Sequence, residues 1–282
     1  MNILTFDIEE WFHILDNHST KTLNEWKNYE SRIHQNMERI FGLLEKKDTK
    51  ATFFCLGWIA EKYPEIIKEI VSNGYEIGSH TSMHQLIYEQ SPREFAEDLE
   101  HSIKALEDLT GQKITYFRAP GFSIRENNKW AFTIMASLGI EVDCSVFPAP
   151  RAHGGLPTYK QPIPSILRYQ GIELKELPIN YITLLGKPII FSGGGYFRLF
   201  PYSLIKNWSK KSTYLMAYLH PRDFDTDQPV IKELSWPRKF KSYVGLKGSI
   251  NKLEKWITDF EFTDVGTAIK NIDWENVPIV QI

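Results

Sequence analysis

The chain is short of several things. It has two cysteines in 282 residues, Cys55 and Cys144. Both lie in apolar, strand-like stretches, so buried reduced thiols are expected and a disulfide framework is excluded. Charge of one sign is lacking too: 33 Lys and Arg face 35 Asp and Glu, a formal net charge of −2. That balance excludes the broad basic surface nucleic acid requires. No apolar run nears the roughly 18 residues a membrane-spanning helix needs, so a transmembrane segment is not expected. The opening stretch, residues 1–10, holds Asp7, Glu9 and Glu10 and no basic residue. A secretory leader is therefore not expected, and a cytoplasmic location is. Internal repeats, low-complexity tracts and linkers are also lacking. One domain over 1–282 is expected, with irregular insertions around 147–170 and 222–248.

Core material is ample. Apolar residues make up 42% and aromatic residues 13%, which suits a large core and leaves rings for a sugar groove. Asn2–Ile8 reads as a short strand with a carboxylate near its end. Strands are likewise expected at 51–56, 75–78, 114–117 and 140–146. Helical spacing separates them: Met37, Ile40, Phe41 and Leu44, then Ile66, Ile67, Ile70 and Val71, then Phe95, Leu99, Ile103 and Leu106, then 130–138. Ser91-Pro92-Arg93-Glu94 is a helix start with a capping box, and Thr110-Gly111 ends that helix. Five strand–helix repeats in about 145 residues argue for a parallel sheet, with a barrel favoured over an open sheet.

The second half is less regular. Residues 147–170 hold five prolines and two glycines. Strands are expected at 173–177, 213–219 and 261–265, a helix at 250–260, and a glycine-rich bend at 192–197.

Chemistry-bearing residues gather where strands end. Asp7 and Glu9 follow the first strand, His80 and His84 the third, and Arg118 the fourth. Asp143 lies in the fifth, and His220 ends a late one. In parallel α/β folds these ends share one mouth, where active sites are built. His80 and His84, four residues apart, would share one face of a helical turn. With a first-strand carboxylate they make a His₂–carboxylate set, the open arrangement of catalytic zinc. Asp7 and Glu9, two apart in a strand, share a face. Glu10 is the fallback ligand, although a solvated acid is its simpler reading. His13, His18, His34, His101 and His153 fit no pattern and are read as surface or structural.

Five stretches resemble, in order, the motifs of the NodB-type polysaccharide deacetylases, carbohydrate esterase family 4. They are Thr5-Phe6-Asp7-Ile8-Glu9, His80-Thr81-Ser82-Met83-His84, Arg118-Ala119-Pro120, Asp143-Cys144-Ser145 and Leu219-His220-Pro221. Asp7-Ile8-Glu9-Glu10-Trp11-Phe12, Phe117 to Ile124 and Phe191 to Arg198 further resemble a subgroup from exopolysaccharide and surface-glycan gene clusters. The resemblance implies an α/β fold, a distorted and incomplete (β/α)7-type barrel. It implies metal-dependent removal of acetyl groups from N-acetylated sugars.

Carried over residue by residue, it implies that His80, His84 and Glu9 hold one divalent metal. Zinc is the first expectation; cobalt, nickel, manganese and iron are the chemical alternatives. Where the family's first motif has adjacent aspartates, this chain has Ile8, so Glu9 takes the ligand role. Asp7 would be the general base, tuned by Arg118, and His220 the general acid, oriented by Asp143. Pro120, Gly121, Phe122 and Tyr196 are the expected substrate contacts, with a backbone N–H at Gly121 or Phe122 facing the oxyanion. The expected partner is an N-acetylated, nucleotide- or lipid-linked glycan of surface polysaccharide or lipopolysaccharide assembly. The alternatives are another C–N or ester hydrolase (cyclic amides, imides or O-acetyl groups) and a catalytically degenerate carbohydrate-binding protein.

Overall fold

The computed structural model describes residues 1–15, 17–151 and 153–282. Ala152, inside the expected excursion at 147–170, lies outside them. The strands are β1 (Asn2–Ile8), β2 (Thr52–Cys55), β3 (Glu76–Ser79), β4 (Tyr116–Phe117), β5 (Val142–Asp143), β6 (Ser165–Tyr169), β7 (Ile172–Glu176), β8 (Ile182–Leu184), β9 (Lys187–Ile189), β10 (Leu215–Leu219) and β11 (Ile279–Gln281). β8 and β9 form a separate hairpin. The other nine make one sheet in the order β10-β1-β2-β3-β4-β5-β7-β6-β11. Every neighbouring pair is parallel except β6 with β7. β10 and β11 are its edges, so among the described residues the sheet does not close. This is the incomplete α/β barrel expected from the sequence.

The apolar runs of β1, β2 and β10 are buried along almost their whole length, as strands covered on both faces must be. The helix Ile33–Lys47 lays Ile33, Met37, Ile40 and Leu44 into the core. The helix Pro92–Thr110 starts and stops as its sequence dictates. Ser91 caps Glu94 N–H, the Glu94 carboxylate returns to Ser91 N–H at 2.7 Å, and Gly111 takes φ +66°.

Register sets the mouth. Ile8 pairs with Cys55, Cys55 with Ser79, Ser79 with Phe117, and Phe117 with Asp143. The ladder runs one residue further, through His80 N–H to the Cys55 carbonyl and Arg118 N–H to the Ser79 carbonyl. Glu9, His80, Arg118 and Cys144 therefore stand in one layer above the sheet's C-terminal edge.

The second half departs from expectation in several places, among them the helix Trp236–Tyr243 inside the insertion expected to be irregular at 222–248. The strand expected at 261–265 reduces to one bridge, Ile3 to Thr263. Asp264 accepts Thr267 N–H and opens the helix Val265–Asn271 instead. The excursion 147–170 ends in β6, which turns back into β7 through Gln170 and Gly171, both at positive φ, the backbone of a tight hairpin. The glycine bend at 192–197 leads straight into the helix Gly194–Leu199. There Gly193 is obligatory, because a Cβ would lie 2.4 Å from the Tyr218 ring.

Candidate active site

At the mouth, Glu9, His80 and His84 each offer one ligand atom, all within 4.8 Å of one another, and all three residues are buried. His80 Nδ1 donates to the Arg118 carbonyl at 2.7 Å. That bond fixes the tautomer and leaves the Nε2 lone pair for the cluster. Glu9 Oε2 lies 2.6 Å from His84 Nε2 and has no further polar partner. Burial pushes the Glu9 carboxyl up, but His84, then His220 and His13, hold it down at about 2. Burial drives His80 down to about 4, so its ring is neutral, as a ligand must be. The donor set and its buried, underused oxygen fit a divalent cation. Bound there, such a cation would acidify water and polarise an amide carbonyl.

The two histidines do not meet by helical spacing, as the sequence suggested. Thr81 and His84 both have positive φ, at 67° and 53°, and the loop folds their rings to a 5.3 Å centroid separation. Asp98 holds that loop, accepting Ser82 N–H at 3.2 Å and Met83 N–H at 3.0 Å. The Thr81 and Ser82 carbonyls accept the N–H groups of Gly57 and Trp58.

Asp7 sits beside the cluster. Its Oδ1 accepts from Arg118 Nη1 at 2.7 Å, and its Oδ2 lies 3.8 Å from His220 Nε2. Burial raises the Asp7 carboxyl, but Arg118, His80 and His220 together bring it below its ordinary value. Arg118 is itself fully buried, bonded to Thr5 Oγ1 at 2.6 Å and the Cys144 carbonyl at 3.3 Å, with its guanidinium over the Phe54 ring.

His220 differs from expectation in its partner. Its Nδ1 meets Asp223 Oδ2 at 3.1 Å, and its N–H donates to the same oxygen. Arg198 Nε holds the other Asp223 oxygen at 2.8 Å. Burial alone would lower His220, but Asp223, then Glu9 and Asp7, raise it to about 9. The expected orienting residue, Asp143, is engaged elsewhere. It accepts Ser145 N–H at 3.1 Å and stands opposite Glu176 across the β5–β7 register. Glu176 is pushed well up by burial and by Asp143, and Asp143 is raised to about 6 by burial. Burial thus favours a proton on this pair, whose Asp143 Oδ2 and Glu176 Oε2 have no other polar partner, away from the mouth.

Other expectations divide. Gly121 and Phe122 line the cavity over the cluster, whose volume is about 200 Å³. The Phe122 N–H is spent on the Ala119 carbonyl at 3.0 Å, which removes it as an oxyanion donor. Pro120 is buried in the turn behind, and Tyr196 is exposed and stacks on Phe200; neither lines the cavity. Glu10 is not a solvated acid. It is buried and caps the helix Ile33–Lys47, accepting Arg32 and Ile33 N–H and the Ser31 hydroxyl.

Sequence reasoning missed His13, which lines the cavity among Phe12, Trp26, Trp58 and His84. Its Nδ1 accepts Glu10 N–H at 3.3 Å. Burial, with His84 nearby, keeps it neutral, well below its ordinary value. Its place in an aromatic run beside two acids was the available signal. His153 also lines the cavity.

The fold has a solved counterpart. A Mycobacterium smegmatis protein assigned to the polysaccharide deacetylases superposes with a TM-score of 0.66 at 18% identity, covering 99% of this chain and 92% of that one. Residues 4–142 match the polysaccharide deacetylase family model, and residues 144–270 match a domain of unknown function, DUF3473. A peptidoglycan-N-acetylglucosamine deacetylase of Bacillus cereus is 36% identical over 94 residues, 33% of this chain and 34% of that protein. Chitin deacetylase 1 of Saccharomyces cerevisiae is 38% identical over 79 residues, 28% of this chain and 26% of that protein. The chain thus spans about a third or less of these curated relatives. Family model and relatives together support a polysaccharide deacetylase domain in the first half of the chain.

Proposed function

We propose that this protein is a metal-dependent carbohydrate N-deacetylase. The observation that carries the reading is the juxtaposition of two sets of groups. A buried Glu9–His80–His84 cluster lies beside an ionised Asp7 and a protonated His220, with 3.8 Å between the last two. Glu9, His80 and His84 would hold the cation. Asp7, kept ionised by Arg118, takes a proton from the attacking water at Oδ2. His220 gives its Nε2 proton to the departing amine, which is otherwise a poor leaving group. Asp223, anchored by Arg198, keeps His220 charged and oriented. Asp143 acts from behind, in the wall that carries the Arg118 and Ser145 contacts.

The finer reading concerns setting. The motifs around Asp7, Phe117 and Phe191 support a place in surface-glycan, exopolysaccharide or lipopolysaccharide assembly. The substrate would be a nucleotide- or lipid-linked sugar made in the cytoplasm. Two buried free thiols, Cys55 and Cys144, suit a reducing compartment. Among the described residues no helix is long and apolar enough to cross a membrane. We also read 1–282 as one domain, because both family-matched stretches contribute strands to one sheet. The test is acetate release from N-acetylhexosamine substrates by protein loaded with zinc or cobalt. Release that Asp7→Asn abolishes supports the reading. Release of ammonia or ring-opened product in its place, or no hydrolysis of any of them, overturns it.

A further inference from the structure

The cavity over the cluster is lined by more cations than its own acids can use. Arg151, Arg198, Arg222, Arg238 and Lys241 face Asp7, Glu9 and Asp223. Those acids are already engaged: Asp7 by Arg118, Glu9 by His84, Asp223 by Arg198 and His220. Arg198 is further spent on the Val244 and Lys241 carbonyls, and Arg238 donates to the Leu15 carbonyl. Two guanidinium groups remain under-used. Arg151 Nη1 and Arg222 Nη2 are buried and have no hydrogen-bond partner.

Both lie beside aromatic rings. Arg151 lies 4.9 Å from the Phe122 ring, 5.0 Å from Phe147 and 5.9 Å from Tyr218. Arg222 lies 5.8 Å from the Tyr243 ring. A ring offers a guanidinium no hydrogen-bond acceptor, so these N–H groups still lack partners, while both residues line the cavity. A buried donor on a charged group, left unpaired, is costly. A ligand that brings an acceptor removes that cost. Two such groups in one sugar-sized cavity define what the ligand must bring.

We infer that the sugar bound at this site carries an oxyanion, a phosphate or a carboxylate, gripped by Arg151 and Arg222. The inference rests on the deacetylase reading and deepens it, assigning the anion of an acidic substrate to two named residues. Two sources supply this chemistry: the diphosphate of a nucleotide or lipid carrier, and the carboxylate of a neighbouring hexuronate.

The test compares three N-acetylglucosamine substrates: neutral N,N′-diacetylchitobiose (chitobiose below), UDP-N-acetylglucosamine and a hexuronate–N-acetylglucosamine disaccharide. Acetate release is measured with wild type, Arg151→Gln and Arg222→Gln, each checked by thermal melt. One acidic substrate is expected to exceed chitobiose in kcat/KM by at least about tenfold. That preference should shrink about tenfold in each variant that melts like wild type, mainly through KM. Which acidic substrate wins identifies the source. Equal turnover of chitobiose, or a preference that survives both substitutions, overturns the inference and leaves the deacetylase reading standing. If no substrate releases acetate, the deacetylase reading fails, and calorimetric titration of the two acidic sugars decides this inference by itself. Binding weakened about tenfold in the variants supports it; absent or unaltered binding overturns it.

Discussion

Asp223 decides how His220 behaves. The His220 ring stands at about 9 instead of its ordinary 6.5 because burial is outweighed by Asp223, Glu9 and Asp7. In the metal-free protein the protonated donor is present below about 9 and is lost as pH rises through that value, and a cation on Glu9 moves that limb down. Acetate release should fall on the same limb. Asp223→Asn removes the largest charge holding the proton on, so the limb should move down toward 6.5. A pH–rate profile of wild type and variant checks this; an unmoved limb would mean His220 is not the titrating donor. Sequence reasoning placed all the motif residues at one mouth, but it assigned the orienting acid to Asp143. Family motif order suggested that choice. The local signal was His220-Pro221-Arg222-Asp223, in which an acid three residues on returns to the His220 N–H, the spacing of a capping box.

Short-range signals with a defined stop were legible at the scale of elements. The capped helix Pro92–Thr110 and strand β1 match their expected bounds within a residue or so. Elements held by distant partners were not. β11 exists only because β6 offers it an edge. The 80–84 loop takes its shape from Asp98, a side chain fourteen residues beyond His84 in the next helix. Asp98→Ala should free the Ser82 and Met83 N–H groups and let His84 drift. Zinc affinity is expected to fall roughly 10- to 100-fold, the usual effect of losing a ligand's support. Competition with a chromophoric chelator measures it, and unchanged affinity would show the loop holds itself.

The β5–β7 pair makes a stability claim of the same scale. Glu176 and Asp143 are both raised by burial, so the folded state holds a proton that the unfolded chain releases. Their contribution is full below the unfolded carboxylate range and is lost as pH rises through the folded values. Glu176→Gln keeps a donor for Asp143 and needs no proton. It should stabilise the protein at pH 8 by about 1–3 kcal/mol and have little effect near pH 4. Thermal melts at the two pH values check it; equal destabilisation at both would mean the pair is not sharing a proton.

The whole molecule is tied together by its sheet order. β10, from late in the chain, lies beside β1 and carries His220 to Asp7. The fragment 1–142, the stretch matched to the deacetylase family, lacks that strand and the acid. It leaves β1 with an unpaired edge and is expected to show no cooperative unfolding transition. A cooperative melt by that fragment would mean the chain divides into two folding units. The repeating strand–helix pattern made the parallel sheet readable, whereas the antiparallel return of β6 onto β7 depends on a Gln170–Gly171 turn that composition does not advertise.

The central claim, that Glu9, His80 and His84 hold a catalytic metal, is tested most directly by elemental analysis. Wild-type protein purified without added metal is compared with the His80→Ala/His84→Ala double variant. About one equivalent of a divalent metal in the wild type, lost in the variant, is the expected result. No bound metal in the wild type even after incubation with zinc or cobalt, or equal metal in both proteins, would contradict it.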